Sequence, residues 1–213
     1  KKSLSLARQL SDPRLEASAL HVLGSAYWIA GDLVQAEKHY KGAIKLLDDL
    51  RDGLGDLTQV SMFDMQIHSY ALLRRILVEQ NKYEEALEIA EHAKARAFVE
   101  LLAKRVSPVA PTSPQFEQQI APPNIQKIRD IAQEQNATLV EYAYIADEEF
   151  VARGKIYGDY IKLHIWVVQP TGKVSFQSVD LSAQDSQLIL KAGEWANDWL
   201  ELLQTAQSTA QYE

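Results

Sequence analysis

Residues 19–47, ALHVLGSAYWIAGDLVQAEKHYKGAIKLL, space small and large apolar side chains more closely than a solitary helix requires. Leu20, Leu23, Gly24 and Tyr27 fall at i, i+3, i+4 and i+7, one buried helical stripe, and Ala36, Tyr40, Ala43, Ile44 and Leu47 form a second. Between them Gly31 predicts a left-handed helix cap, Asp32 an N-cap and Gln35 its capping-box partner. The spacing predicts two antiparallel helices joined by a tight turn. Gly24 is expected to face Ala36 where the backbones approach, with Tyr27 and Tyr40 filling the space beside them.

Leu23, Gly24, Tyr27, Ala36, Tyr40 and Ala43 together resemble the tetratricopeptide repeat (TPR), with Leu20 where that family often carries Trp. A second copy, SYALLRRILVEQNKYEEALEIAEHAKA, has Arg74 in place of the glycine and Leu77 in place of the tyrosine. Its second helix is predicted to be capped by Asn81, with Glu84 closing the box and Tyr83, Ala86, Leu87, Ala90 and Ala93 repeating the spacing. Gly24 and Arg74 are 50 positions apart (74 − 24), against about 34 in the family. The excess predicts longer helices with a break near Gly53 and Gly55. Residues 1–10, followed by Pro13 suited to a first helical turn, read as the second helix of a preceding repeat, so that the array is entered midway.

The TPR resemblance implies that a protein or peptide ligand binds the inner face of each first helix. The family positions lining that groove correspond to Ser18, His21, Ser25 and Trp28 in the first repeat and to His68, Ala71, Arg75 and Val78 in the second. Contact with a preceding repeat is the alternative role for Trp28. The asparagine and lysine set of the carboxylate-clamp subfamily is absent, so recognition of a C-terminal carboxylate is not implied.

The helical domain is expected to span residues 1–106. VSPVAPTSPQFEQQIAPPN, with Pro108, Pro111, Pro114, Pro122 and Pro123, cannot continue a helix and predicts a linker over 107–123. A short helix over about 124–135 leads to strands at 138–146, 161–169 and 173–180, the last two joined by a QPTG turn. DEEFVARGKIYGD is expected to be a polar loop, and Ser182 to cap a final helix with Trp195, Trp199 and Leu202 on one stripe. The fold class is therefore α+β, with antiparallel helical repeats followed by a small three-stranded sheet and flanking helices. Its open edge predicts a homo-oligomer.

Residues 80–181 look like the junction and opening strands of CHAT, the caspase-like peptidase domain that follows TPR arrays in bacterial, notably cyanobacterial, proteins. That resemblance implies that 124–213 is the N-terminal fragment of such a domain. Family members use a His and Cys dyad in the later part of the domain. Here His164 lies within a strand without the following glycine, and the chain has no cysteine. No catalytic residue is assigned.

The remaining chemistry is sparse. Residues 1–106 carry 15 basic and 15 acidic side chains and 107–213 carry 7 and 14, which places the net charge of −7 in the second half. No basic field attracts nucleic acid. No apolar run reaches the roughly 18 residues of a membrane span. Without cysteine a cytoplasmic location is expected. His21, His39, His68, His92 and His164 lack metal-ligand spacing and read as exposed helix or strand residues, so no metal or cofactor is predicted. Asp147, Glu148 and Glu149 read as a solvated acidic loop, and Lys94, Arg96, Lys104 and Arg105 as cations complementing a helix C-terminus. The expected function is a non-enzymatic protein-interaction scaffold. The alternative is the regulatory part of a caspase-like cysteine peptidase whose dyad lies beyond residue 213.

Overall fold

The computed structural model describes residues 2–50, 56–105, 123–147, 150–152 and 155–192. Five helices come first: α1 (Lys2–Gln9), α2 (Pro13–Ile29), α3 (Leu33–Asp49), α4 (Asp56–Glu79) and α5 (Tyr83–Arg105). After them come α6 (Ile125–Glu134), β1 (Leu139–Ala146), β2 (Phe150–Ala152), β3 (Lys155–Tyr157), β4 (Tyr160–Val168) and β5 (Val174–Asp180), then a helical segment over 183–192. The architecture is α+β, as the sequence pattern predicts.

Consecutive helices in the array contact one another, and α2 also contacts α4. Asp12 begins α2 by accepting from the amides of Arg14 and Leu15, with Pro13 in the first turn, where its missing N–H costs nothing. Asp32 caps α3 by accepting from the Gln35 amide at 3.1 Å, and Gly31 takes the left-handed φ of +79°. The Asp32 amide bonds the Tyr27 carbonyl instead of the Gln35 side chain. Part of the longer period between the repeats is absorbed in helix length: α4 has 24 residues against 17 each for α2 and α3, and α5 after it has 23. The expected break at Gly53 and Gly55 lies outside the described residues. So do most of the proline linker, Glu148, Glu149, the side chains of Arg96, Lys104 and Arg105, and the stripe of Trp195, Trp199 and Leu202.

Three local expectations are corrected. The space at Gly24 is taken by the Tyr40 ring and not by Ala36: a Cβ there would stand 2.9 Å from Tyr40 ring carbons. Asn81 does not cap α5. It has a left-handed φ of +60°, the Ala86 amide bonds the Lys82 carbonyl, and Glu84 reaches across to Arg129 at 2.5 Å. Asn tolerates that backbone better than other non-glycine residues, which lets it occupy the position Gly31 fills one repeat earlier. Third, the polar loop after β1 contains an antiparallel hairpin in which Phe150, Val151 and Ala152 pair with Tyr157, Ile156 and Lys155. Three-residue strands beside three consecutive acids leave too short an alternation to read as strands.

The main sheet is antiparallel with order β1-β4-β5, so β1 and β5 are its edges among the described residues. Gly172, at φ +79°, turns the β4–β5 hairpin, its amide bonding the Gln169 carbonyl at 2.8 Å. One sheet face packs on the array. Trp166, fully buried, donates its Nε1–H to the Tyr83 carbonyl at 2.8 Å, and Phe176 stacks on the Tyr83 ring at 4.4 Å. α6 docks beside it, its Ile125 amide bonding Glu88 and its Arg129 pairing with Glu84. The buried cluster runs without interruption from Tyr40, Leu73 and Leu77 through Leu87 to Ile128, Ala132, Ala143 and Trp166. The final helical segment is capped as expected: the Ser182 hydroxyl accepts from the Asp185 amide while Asp185 accepts from Ser182.

Candidate interaction site

α2 packs against α4, and this contact brings first-helix positions of the two repeats together. Trp28 and Arg75 meet there, the guanidinium carbon 4.7 Å from the indole centroid. Glu79, one turn beyond Arg75, accepts from Trp28 Nε1 at 3.1 Å and lies 3.6 Å from Arg75 Nε. The indole is thus held on its edge by a carboxylate and on its face by a cation, an arrangement that adds electrostatic attraction to apolar contact. Glu79 was not singled out from the sequence. Its i+4 spacing from Arg75 was the available signal.

His21 and His68 also come together, with ring centroids 5.2 Å apart. Neither is an exposed helix histidine; both are half-buried. Ser69 spends its one hydroxyl hydrogen on the Met65 carbonyl at 2.8 Å, so the 2.8 Å contact to His21 Nδ1 requires His21 to donate. Burial, then the neighbouring His68, push the His21 pKa down to about 4, and burial lowers that of His68. The same accounting applies at Ser25. Its hydroxyl donates to the His21 carbonyl at 3.3 Å, so the Tyr40 hydroxyl donates to Ser25 Oγ at 2.8 Å. Of the remaining groove positions, Ala71 is buried, Val78 is half-buried against the core, and Ser18 is exposed on the wall of a separate cleft between α1 and α2.

Behind this face Glu37 forms a second polar centre. It bonds Lys41 at 2.6 Å, Lys82 at 2.7 Å and Gln80 at 2.9 Å, and Lys41 continues to Glu85 at 3.1 Å. Burial alone would raise its pKa, but these hydrogen bonds outweigh it and hold the carboxyl at about 2. At the sheet junction Lys94 pairs with Glu141, while burial and the Glu141 charge raise the pKa of Glu91. His164 sits buried against Trp166 and Phe176, its pKa pushed to about 4 by burial and then by Arg74, Lys162 and Arg75. Among the described residues no group of three or more His, Cys, Asp or Glu side chains is placed to hold a metal ion, and no helix is long and apolar enough to cross a membrane.

The sequence of these helix pairs has counterparts among known proteins. Over 133 residues, 62% of the chain, the sequence is 32% identical to Tetratricopeptide repeat protein 28 of Mus musculus, and equally so to that of Homo sapiens. Over 104 residues, 46% of the chain, it is 33% identical to Response regulator aspartate phosphatase A of Bacillus subtilis. The likenesses support a TPR-type helical repeat. The matches span only 5% of the length of the first two relatives and 25% of the third. No family model and no solved structure matches the chain.

Proposed function

We propose that the chain is a non-enzymatic interaction module whose TPR-type array docks a protein partner on the α2–α4 face, centred on Trp28 and Arg75. The observation that carries this reading is the Trp28–Arg75–Glu79 cluster. Trp and Arg are the side chains that most often dominate binding energy, and here each is half-buried and held in place before any partner arrives. Val78 extends the contact along the face, while His21, Ser25 and His68 support it from below. Residues 1–106 then form the recruiting domain, 107–123 the linker and 124–213 a domain resembling the opening of CHAT. The open sheet edge serves homo-oligomerisation, and a cytoplasmic location fits a chain without cysteine.

The rival reading, a regulatory segment of a caspase-like cysteine peptidase, draws on the likeness of residues 80–181 to that family. Its thiolate would have to come from outside these 213 residues. A His-Gly and a Cys following strands downstream of Glu213 in the same reading frame would favour it.

The test compares proteins retained by the immobilised chain with those retained by Trp28→Ala/Arg75→Ala. A partner lost from the double variant while its helical circular dichroism and melting temperature hold supports the site. Unchanged retention moves the site elsewhere.

A further inference from the structure

α4 is covered on a side that no helix of the array reaches. α2 lies along His68, Arg75 and Glu79, which meet His21 and Trp28. α3 reaches α4 and the turn after it through Asp48 to Gln66 and Glu37 to Gln80, and α5 packs back along it. At about 100° per residue, Ala71, Arg74 and Val78, at i, i+3 and i+7, form the stripe these three helices leave over. Ala71 and Val78 are positions that the repeat resemblance assigns to the ligand side. Yet Ala71 is only 3% exposed, and Arg74 donates to the Tyr144 carbonyl of β1 at 3.3 Å. β2, the next strand, also contacts α4. Among the described residues the corner from β1 into β2 is therefore what covers the stripe. Its cover ends at Val78 and Arg75, both half-buried, where the Trp28 face begins.

The β2–β3 hairpin is built so that it can leave. Its strands pair only with each other, outside the β1-β4-β5 sheet. Two three-residue strands are marginal alone, so the contact with α4 is what holds them in place. Releasing the hairpin breaks no pairing of the main sheet and no contact between helices, so its opening draws on a small part of the total stability. While docked it is tethered to the chain it covers, at an effective concentration on the order of millimolar against any partner in solution.

We propose that the β2–β3 hairpin is a built-in occupant of the second repeat's groove, displaced by a partner that lays an extended segment from Trp28 and Arg75 toward Ala71. The occupant sets the kind of segment, because β2 meets α4 as extended backbone. The proposal rests on the α2–α4 face being the docking surface and adds the regulation of that face by the chain itself.

The test uses the full chain with residues 148–157 replaced by a glycine-serine stretch of equal length, and a fluorescent peptide of residues 147–158 as the probe. By anisotropy the peptide should saturate the replaced chain and bind the unaltered chain about tenfold or more weakly. Ala71→Arg in the replaced chain should remove that binding while its circular dichroism holds, since Ala71 is a surface position there. In the unaltered chain the amides of 150–157 should exchange about tenfold or more faster than those of 69–77. No saturation, equal affinity for the two chains, binding indifferent to Ala71→Arg, or hairpin amides as protected as those of α4 each overturns the proposal. Loss of helical circular dichroism in the replaced chain does so too, because the hairpin is then part of the array's core. None of these readouts uses a partner or alters Trp28 or Arg75, so failure of the hairpin's seat and failure of the docking face are told apart.

Discussion

Gly24 carries the closest approach in the array, and its neighbour sets what can replace it. Any Cβ there meets the ring of Tyr40, which is fully buried and anchored through its hydroxyl to Ser25, so the ring cannot swing away cheaply. Gly24→Leu should therefore overpack the contact and cost about 1–3 kcal/mol, read as a lower urea midpoint. The second repeat shows the compensating choice. Arg74 and Ala90 stand 50 positions after Gly24 and Tyr40, so there the large residue is on the first helix and the small one on the second. Tyr40→Ala alone should open a cavity costing about 3–5 kcal/mol, and the double variant Gly24→Leu/Tyr40→Ala should lose less than the sum of the two. Strict additivity in that cycle would show that the two side chains do not share the space.

Between helices, the array is joined by turns and by polar centres, and the polar centres make it acid-sensitive. His21 and His164 have pKa values near 4 in the folded chain against an ordinary 6.5. Above pH 6.5 both are neutral whether folded or not. Below it the unfolded chain takes up protons first, so stability should fall between pH 6.5 and 4 by roughly 1–3 kcal/mol per site. Glu37, at about 2 against 4.5, favours the fold as a carboxylate, so its contribution is intact above pH 4.5 and lost between 4.5 and 2. Urea midpoints at pH 7, 5 and 3 should decline in both windows, and His21→Phe should flatten the first alone; an unchanged slope in that variant would remove His21 from the account. The sequence announces the helices far better than these centres. Alternation of small and large residues marks α2, α3 and α5, and Gly31 declares its turn. Yet the same turn recurs at Ser11, Asn81 and Asn136, all with positive φ and with the hydrogen bond from the following amide to the carbonyl five residues before it. Serine and asparagine are as common in caps and loops as in left-handed turns, so their identity does not reveal the geometry. Nor does spacing show that Glu37 meets Lys82, or Trp28 meets Glu79, because each pair forms only when α4 stacks on the first repeat.

At the scale of the whole molecule the sheet takes the place that a third helix pair would occupy at the end of the array. Its inner face, from Ala143 through Trp166 to Phe176, lies on the α4–α5 pair, while Val140 and Tyr142 on the opposite face remain exposed. The core is continuous across that junction, and this decides how the chain should unfold. A sheet resting on its own core would melt apart from the helices. A sheet sharing Leu73, Leu77 and Leu87 with them should melt in the same transition. Trp166 is the most informative residue to remove, since it is the largest fully buried side chain among the described residues and its Nε1–H donates to the Tyr83 carbonyl at the start of α5. Trp166→Ala deletes the indole from the centre of the junction and should cost about 3–5 kcal/mol. Helical ellipticity at 222 nm and amide hydrogen exchange in β4 and in α4 should then report one shared, lowered midpoint, because loss of the sheet uncovers the last repeat. If the variant instead loses protection in β4 while α4 keeps its wild-type exchange rates and melting temperature, the array is a self-sufficient domain and the sheet only rests on it.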